Sequence, residues 1–278
     1  MASISQLLSQ ARVTLAESGN ARDAEILLCH ALACERAYLY TWPHRTVDAS
    51  SEKQFLELIA ARAEGTPVAY LTGEREFWSL DFKVTPDTLI PRPETELLVA
   101  YILREFPQAA LDVLDLGTGS GAIAIALAHS RPLWNVTASD ISPACLKIAE
   151  HNAQRNQVHN LQLLESDWLA QLGDQRFDLI VSNPPYIAAH DTHLYQGDVR
   201  FEPMSALSSG IDGMDAIRHL CGHVAKVLRP GGWFFTEHGY DQKTAVYDCF
   251  KHHGFSNIVQ LDDLGGQPRV CGGQIVTR

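Results

Sequence analysis

Between residues 111 and 128 the chain runs from an apolar stretch through a cluster of glycines into a second apolar stretch, and no other segment constrains the fold as strongly. Leu111-Asp112-Val113-Leu114-Asp115-Leu116 has the length and branching of a buried strand, and Ile123 to Ala128 the composition of the helix after it. The link Gly117-Thr118-Gly119-Ser120-Gly121 lets the backbone turn sharply and approach a ligand where a side chain would block it. Strand, glycine turn and helix in that order open a parallel sheet with helices on its faces.

The alternation continues downstream. Residues 135–140 predict a second strand ending in an acid, residues 143–156 a helix, residues 161–164 a third strand and residues 177–182 a fourth. A helix over residues 217–228, a turn at Gly231-Gly232 and a fifth strand over residues 233–237 follow, with further strands near Ile258 and Ile275. The fold class is therefore α/β, with a seven-stranded, mostly parallel sheet. Upstream, residues 4–63 are helical in pattern: Ala24, Leu27, Leu28 and Ala31 share one face, and Phe55, Leu56, Ile59, Arg62 and Ala63 another. Asp23 lies near a helix start, and Gly65-Thr66-Pro67 is a stop signal. Residues 76–84 alternate as a hairpin does. A length of 278 residues suits two domains, and the expected division is a helical domain over 1–70, a hairpin linker over 71–90 and an α/β domain over 91–278.

Six cysteines without a C-x-x-C pair suggest neither a zinc cage nor a disulfide framework, so no metal is expected and a reducing cytoplasm fits. Residues 1–20 lack the basic start and apolar stretch of a signal peptide. No segment approaches the roughly 20 apolar residues of a membrane span. The formal net charge of −11 disfavours tracking along a phosphate backbone, which depends on Lys and Arg displacing counterions. Free nucleic acid and membranes are not expected partners; a protein is.

The glycine turn alone leaves two cofactor classes open, because Gly117, Gly119 and Ala122 also satisfy a dinucleotide fingerprint. Asp115, two residues before the first glycine, suits a cationic amino acid better than a pyrophosphate, whose oxygens it would repel. Asp140, nineteen residues after Gly121 at the end of the second strand, can accept hydrogen bonds from both ribose hydroxyls. Asp167 and Trp168, just past the third strand, stand where an adenine would lie, the acid to accept its amine and the indole to cover its face. Together these lean toward S-adenosylmethionine over a nicotinamide.

The chemistry is indicated by Asn183-Pro184-Pro185-Tyr186. Two prolines after an apolar strand remove two N–H donors, so the chain must leave the sheet in a stiff corner facing the crevice where ligands bind in open α/β sheets. An NH2 group conjugated to a π system is a poor nucleophile. Oxygen acceptors aimed at its hydrogens, the Asn183 side chain and the Pro184 carbonyl, would orient it and ease departure of a proton, while Tyr186 could stack on its plane. No general base is required, and His190, His193 and His238 read as surface or packing residues.

With those motifs the chain resembles the protein-(glutamine-N5) methyltransferases that modify class I peptide chain release factors, the PrmC/HemK group. The resemblance spans nearly the whole chain. It includes Glu76-Phe77-Trp78, Ile90-Pro91-Arg92-Pro93-Glu94-Thr95-Glu96 and Val199-Arg200-Phe201-Glu202-Pro203. It implies a Rossmann-like class I S-adenosylmethionine methyltransferase domain behind a helical substrate-recognition domain, and transfer to the glutamine of the release factor's Gly-Gly-Gln loop. Asn183, Pro184 and Tyr186 would be catalytic, with Pro185, Arg92 and Glu202 also binding substrate and Glu94 in the pocket wall. Asp115, Gly117, Thr118, Gly119, Ser120, Gly121, Asp140, Asp167, Trp168 and Asn183 would hold the cofactor.

The Asn-Pro-Pro-Tyr corner is shared with enzymes that methylate exocyclic amines of nucleic-acid bases, the main alternative. Such an enzyme would want a basic recognition domain, yet residues 1–80 carry seven Lys and Arg against ten Asp and Glu. A binding-only adapter would have no use for Asn183 and Tyr186. The triplets Gly265-Gly266-Gln267 and Gly272-Gly273-Gln274 are short enough to be coincidence, and no self-methylation is inferred from them.

Overall fold

A computed structural model of the chain describes residues 2–16 and 20–276. It divides into two compact units, Met1–Glu74 with Tyr195–Phe201, and Arg75–Leu194 with Glu202–Arg278. In the smaller unit five helices appear among the described residues: α1 (Ile4–Ala16), α2 (Asp23–Leu32), α3 (Arg36–Thr41), α4 (Ala49–Ala63) and α5 (Val68–Thr72). Their core is Leu7, Leu15, Leu27, Leu28, Phe55 and Ile59, buried at helical spacing. Leu56 and Ala63, expected on the same face as Phe55, are exposed instead, because the buried stripe of α4 runs through Phe55, Ile59 and Arg62 only. Arg62 can be buried because it is paired, with Asp23 at 2.7 Å and with Asp198 at 2.8 Å, and its guanidinium also donates to the carbonyls of Gly65 and Thr66.

From Arg75 on, the larger unit carries a hairpin, β1 (Glu74–Phe77, its first residue still in the smaller unit) and β2 (Leu80–Lys83), closed by Trp78 and Ser79, both at positive φ. That is the backbone of a two-residue turn whose twist matches its strands. The Trp78 N–H donates to Glu96, and Phe77 and Phe82 meet edge to face at 6.1 Å in the core.

The sheet has seven strands in the order β5-β4-β3-β6-β7-β9-β8, with β3 (Asp112–Leu116), β4 (Asn135–Asp140), β5 (Leu161–Glu165), β6 (Phe177–Ser182), β7 (Leu228–Glu237), β8 (Phe255–Asp262) and β9 (Pro268–Ile275). The first five pair in parallel and β9 runs antiparallel to both its neighbours. Strand order reverses between β3 and β6, which puts the carboxyl ends of those two strands, the glycine turn and the Asn-Pro-Pro-Tyr corner, side by side at the switch point where α/β sheets bind ligands. Helices α6 (Glu96–Glu105), α7 (Ala122–Ser130), α8 (Pro143–Arg155), α9 (Asp215–His223) and α10 (Lys243–His252) complete the layers.

Two details differ from the pattern-based expectation. The helix expected over 217–228 ends at His223, and β7 already begins at Leu228. Gly231-Gly232 therefore lies inside the strand; Gly231 takes a φ of +79°, and the pairing with β6 shifts register between Phe177 and Leu179. Paired glycines punctuate a sequence equally well as a turn or as a bulge. Helices α6 and α10 lie outside the predicted elements altogether.

The Gly-Gly-Gln triplets have structural places. Gly265 and Gly266 turn the chain between β8 and β9, while Gly272 sits in β9 opposite Phe235.

Candidate functional site

Each part of the site is set by a strand end. After β3, the N–H groups of Gly117 and Thr118 both donate to the Ser139 carbonyl at 2.9 Å, pinning the glycine turn to the end of β4. Gly117, Gly119 and Gly121 all have positive φ. At Gly121 space matters as well, since a Cβ would lie 2.7 Å from Ile125 Cδ1 and 3.1 Å from Ala149 Cβ, where α7 and α8 pass. The turn in turn fixes Asp140: its Oδ2 accepts the Gly119 N–H and its Oδ1 the Ser142 N–H, both at 2.9 Å. Each carboxylate oxygen keeps a further lone pair for a ligand.

These residues open onto one cavity. Gly117, Thr118, Gly119, Ser120 and Asp140 line it from the ends of β3 and β4, Asp167 and Trp168 from beyond β5, and Asn183, Pro184 and Pro185 from beyond β6, with Arg92 also in the lining. Trp168 takes a φ of +49°, and its ring lies 6.3 Å from that of His219, which is stacked in turn on His223 at 4.5 Å.

Five of the sequence-predicted residues do not line that cavity: Glu94, which is exposed, and Asp115, Gly121, Tyr186 and Glu202. Asp115 is buried beneath the turn, where its Oδ2 accepts the Thr118 hydroxyl at 2.7 Å. It acts as a brace under Thr118. Burial pushes its carboxyl up to about 7. An unfolded Asp ionises near 4, so the folded state holds the proton longer, and the group's contribution to stability falls as pH rises through the window from about 4 to about 7. The slope is roughly 1.4 kcal/mol per pH unit. Asp115→Asn should therefore gain stability relative to wild type between pH 5 and pH 8. Denaturant midpoints at both pH values check this; a gap that stays constant would show an ordinary carboxyl.

Glu202 is likewise an anchor, its side chain wholly buried, accepting from Arg92 at 2.5 Å and from the Ile90 N–H at 3.1 Å. It holds Arg92 in the cavity lining. His190 and His193 are exposed, and His238 is buried with its Nδ1 2.8 Å from the Gly239 carbonyl.

Two residues that sequence reasoning did not assign to the site stand behind Asn183. Its Nδ2 donates to Thr95 Oγ1 at 3.2 Å, Thr95 Oγ1 donates to Glu237 Oε2 at 2.6 Å, and the Tyr186 hydroxyl donates to Glu237 Oε1 at 3.0 Å. Burial raises the ionisation of both Glu237 and Tyr186 above their ordinary values. An acid closing a strand beside the Asn-Pro-Pro-Tyr strand was the available signal for Glu237.

Residues 6–73 match the family model for the PrmC N-terminal domain, and residues 93–199 that for the methyltransferase small domain. A release factor glutamine methyltransferase of Vibrio cholerae is 46% identical over 278 residues, covering 99% of this chain and 97% of the relative. One of Pseudomonas aeruginosa is 47% identical over 275 residues and covers 99% of each. Among solved structures, a methyltransferase from Pyrococcus furiosus superposes with a TM-score of 0.55 at 17% identity, covering 83% of this chain and 100% of that one. The T. thermophilus 16S rRNA N2 G1207 methyltransferase, solved with AdoMet and guanosine, superposes with a TM-score of 0.51 at 21% identity, over 73% of this chain and 49% of that one. Both structural likenesses concern the fold alone.

Proposed function

The chain belongs to the release factor glutamine methyltransferases, and from that premise we propose that it methylates the side-chain amide nitrogen, N5, of the glutamine in the Gly-Gly-Gln loop of class I release factors, with S-adenosylmethionine as donor. The observation that carries this reading is Asn183, presented on a proline corner in the same cavity as the glycine turn and Asp140.

The cavity residues fit the donor. Asp140 has both oxygens oriented by backbone N–H groups and lone pairs left for a ribose diol. Trp168 offers a ring face and Asp167 an acceptor for adenine. Gly119 leaves nothing within 4 Å of where a Cβ would stand, open ground for a ligand's tail. Bound there, S-adenosylmethionine supplies a methyl group on a positively charged sulfur.

The protein's task is then to present the amide nitrogen. Asn183 Oδ1 and the Pro184 carbonyl accept its two hydrogens and hold its plane, which converts a delocalised, weakly nucleophilic NH2 into one aimed along a single line. The donor would supply the methyl group, and Asn183 and the Pro184 carbonyl would keep the amide nitrogen in line with it and ease the loss of one of its hydrogens as a proton. Because charge is dissipated, orientation supplies the catalysis, with no side-chain base in the part of the lining formed by the corner. Arg92, held by Glu202, lines the same cavity and offers a cationic group to the incoming protein loop.

Among the described residues no helix is long and apolar enough to cross a membrane. The six cysteines are free thiols, the state a reducing cytoplasm maintains, and we place the reaction there.

The test is direct: purified protein with methyl-labelled S-adenosylmethionine should label a release factor, with mass mapping to the glutamine of its Gly-Gly-Gln loop, and leave duplex DNA unlabelled. Label on DNA, or none on the factor, overturns the reading.

A further inference from the structure

We propose that Thr95 and Glu237 decide which end of the Asn183 side-chain amide meets the substrate, and are positioning residues for methyl transfer. The inference rests on the proposed function and extends it to residues outside the Asn-Pro-Pro-Tyr corner.

A carboxamide has an acceptor end and a donor end of nearly equal size, and a half-turn about its last torsion exchanges them at little steric cost. For an incoming NH2 group only one arrangement helps, with Oδ1 facing it. With Nδ2 in that place, two donors would confront each other. Shape alone does not choose, so a neighbour must.

Thr95 chooses. A hydroxyl has one proton, and that of Thr95 is committed to Glu237 Oε2 at 2.6 Å, the short separation of a hydrogen bond to a carboxylate. With its proton taken, Thr95 Oγ1 can only accept from Asn183, 3.2 Å away, so the group facing it must be Nδ2. The Asn183 oxygen is thereby turned to the opposite side of the amide. Glu237 accepts on its other oxygen from the Tyr186 hydroxyl at 3.0 Å, and the two hydroxyl donors oppose the protonation that its burial favours. Three segments distant in sequence, the turn that enters α6, the corner after β6 and the end of β7, thus share one hydrogen-bond network whose donors converge on Glu237. Both Thr95 and Glu237 are buried, at 3% and 1% exposure, so water does not replace either partner.

A carboxylate here costs desolvation that a buried amide would avoid, yet only a group that accepts on both oxygens imposes this direction. A glutamine at 237 would offer an NH2 to one of the two hydroxyls. Facing Thr95, it would free the threonine proton to point at Asn183 and favour the reversed amide.

Three variants test the proposal: Thr95→Val, which keeps the shape and deletes the hydroxyl; Thr95→Ser, which keeps the hydroxyl; and Glu237→Gln. Each is assayed for turnover on a release factor and, by calorimetry, for affinity toward S-adenosylmethionine. Thr95→Val and Glu237→Gln should lower kcat about tenfold or more with the donor's Kd changed less than about threefold, and Thr95→Ser should restore most of the loss. Wild-type turnover in Thr95→Val, no recovery in Thr95→Ser, or equal losses of turnover and donor affinity would each overturn it. If Thr95→Val does not fold, Thr95→Ala, which also deletes the hydroxyl, carries the same comparison. Wild-type protein that labels no release factor would instead condemn the proposed function, so the two failures are distinct.

Discussion

Asn183→Ala leaves the affinity for S-adenosylmethionine within about an order of magnitude of wild type and lowers turnover on a release factor by roughly 10²-fold or more. The asymmetry follows from where the side chain is held. The donor's proposed contacts are with Asp140, Trp168 and the glycine turn, each fixed by its own hydrogen bonds or packing rather than by Asn183. What the truncation removes is one acceptor whose direction the Thr95 hydroxyl sets, and with it the alignment of the reacting nitrogen. Turnover and titration calorimetry on the same preparation decide the matter. A parallel fall in both would move Asn183 from the substrate to the donor.

Gly272→Ala destabilises the protein by about 3 kcal/mol, the upper end of what an added methyl costs in a full core. A Cβ at 272 would stand 2.1 Å from Phe235 Cδ1, a separation no adjustment of the methyl itself can relieve. The ring cannot yield easily, because it is stacked on Trp233 at 5.5 Å and flanked by Tyr101 at 5.6 Å and Phe106 at 5.9 Å. Denaturant midpoints measure the loss; a shift worth less than about 0.5 kcal/mol would show that the β7–β9 pairing opens to make room. The result also separates this Gly-Gly-Gln triplet from its namesake in the substrate, since here the glycine serves an aromatic cluster.

What the sequence made legible was whatever is written locally. The strands at residues 135–140 and 177–182 have boundaries legible in the sequence, because an acid ends one strand and a proline pair follows the other. The glycine turn was legible since positive φ leaves a compositional mark. Helix α6 was not, for it starts inside Pro-Glu-Thr-Glu, a stretch that reads as a motif rather than as a helix start, and Gly231-Gly232 mimicked a turn that tertiary pairing turns into a bulge. In the site, Asp115 and Glu202 had the right charge to touch a ligand, and their burial, invisible in the sequence, makes them braces for Thr118 and Arg92. Thr95 and Glu237 are 142 positions apart, and only the folded sheet brings the hydroxyl to the carboxylate.

The seven residues Tyr195–Phe201 belong to the smaller unit although the sequence on either side of them belongs to the larger. That unit is consequently discontinuous, and its gene segment cannot be cut out in one piece. A fragment ending at Glu74 would carry Arg62 without Asp198, leaving a guanidinium that is 5% exposed with one carboxylate where it has two. Domain exchange between relatives would have to transplant both stretches together, or replace Arg62 by an uncharged residue of similar reach.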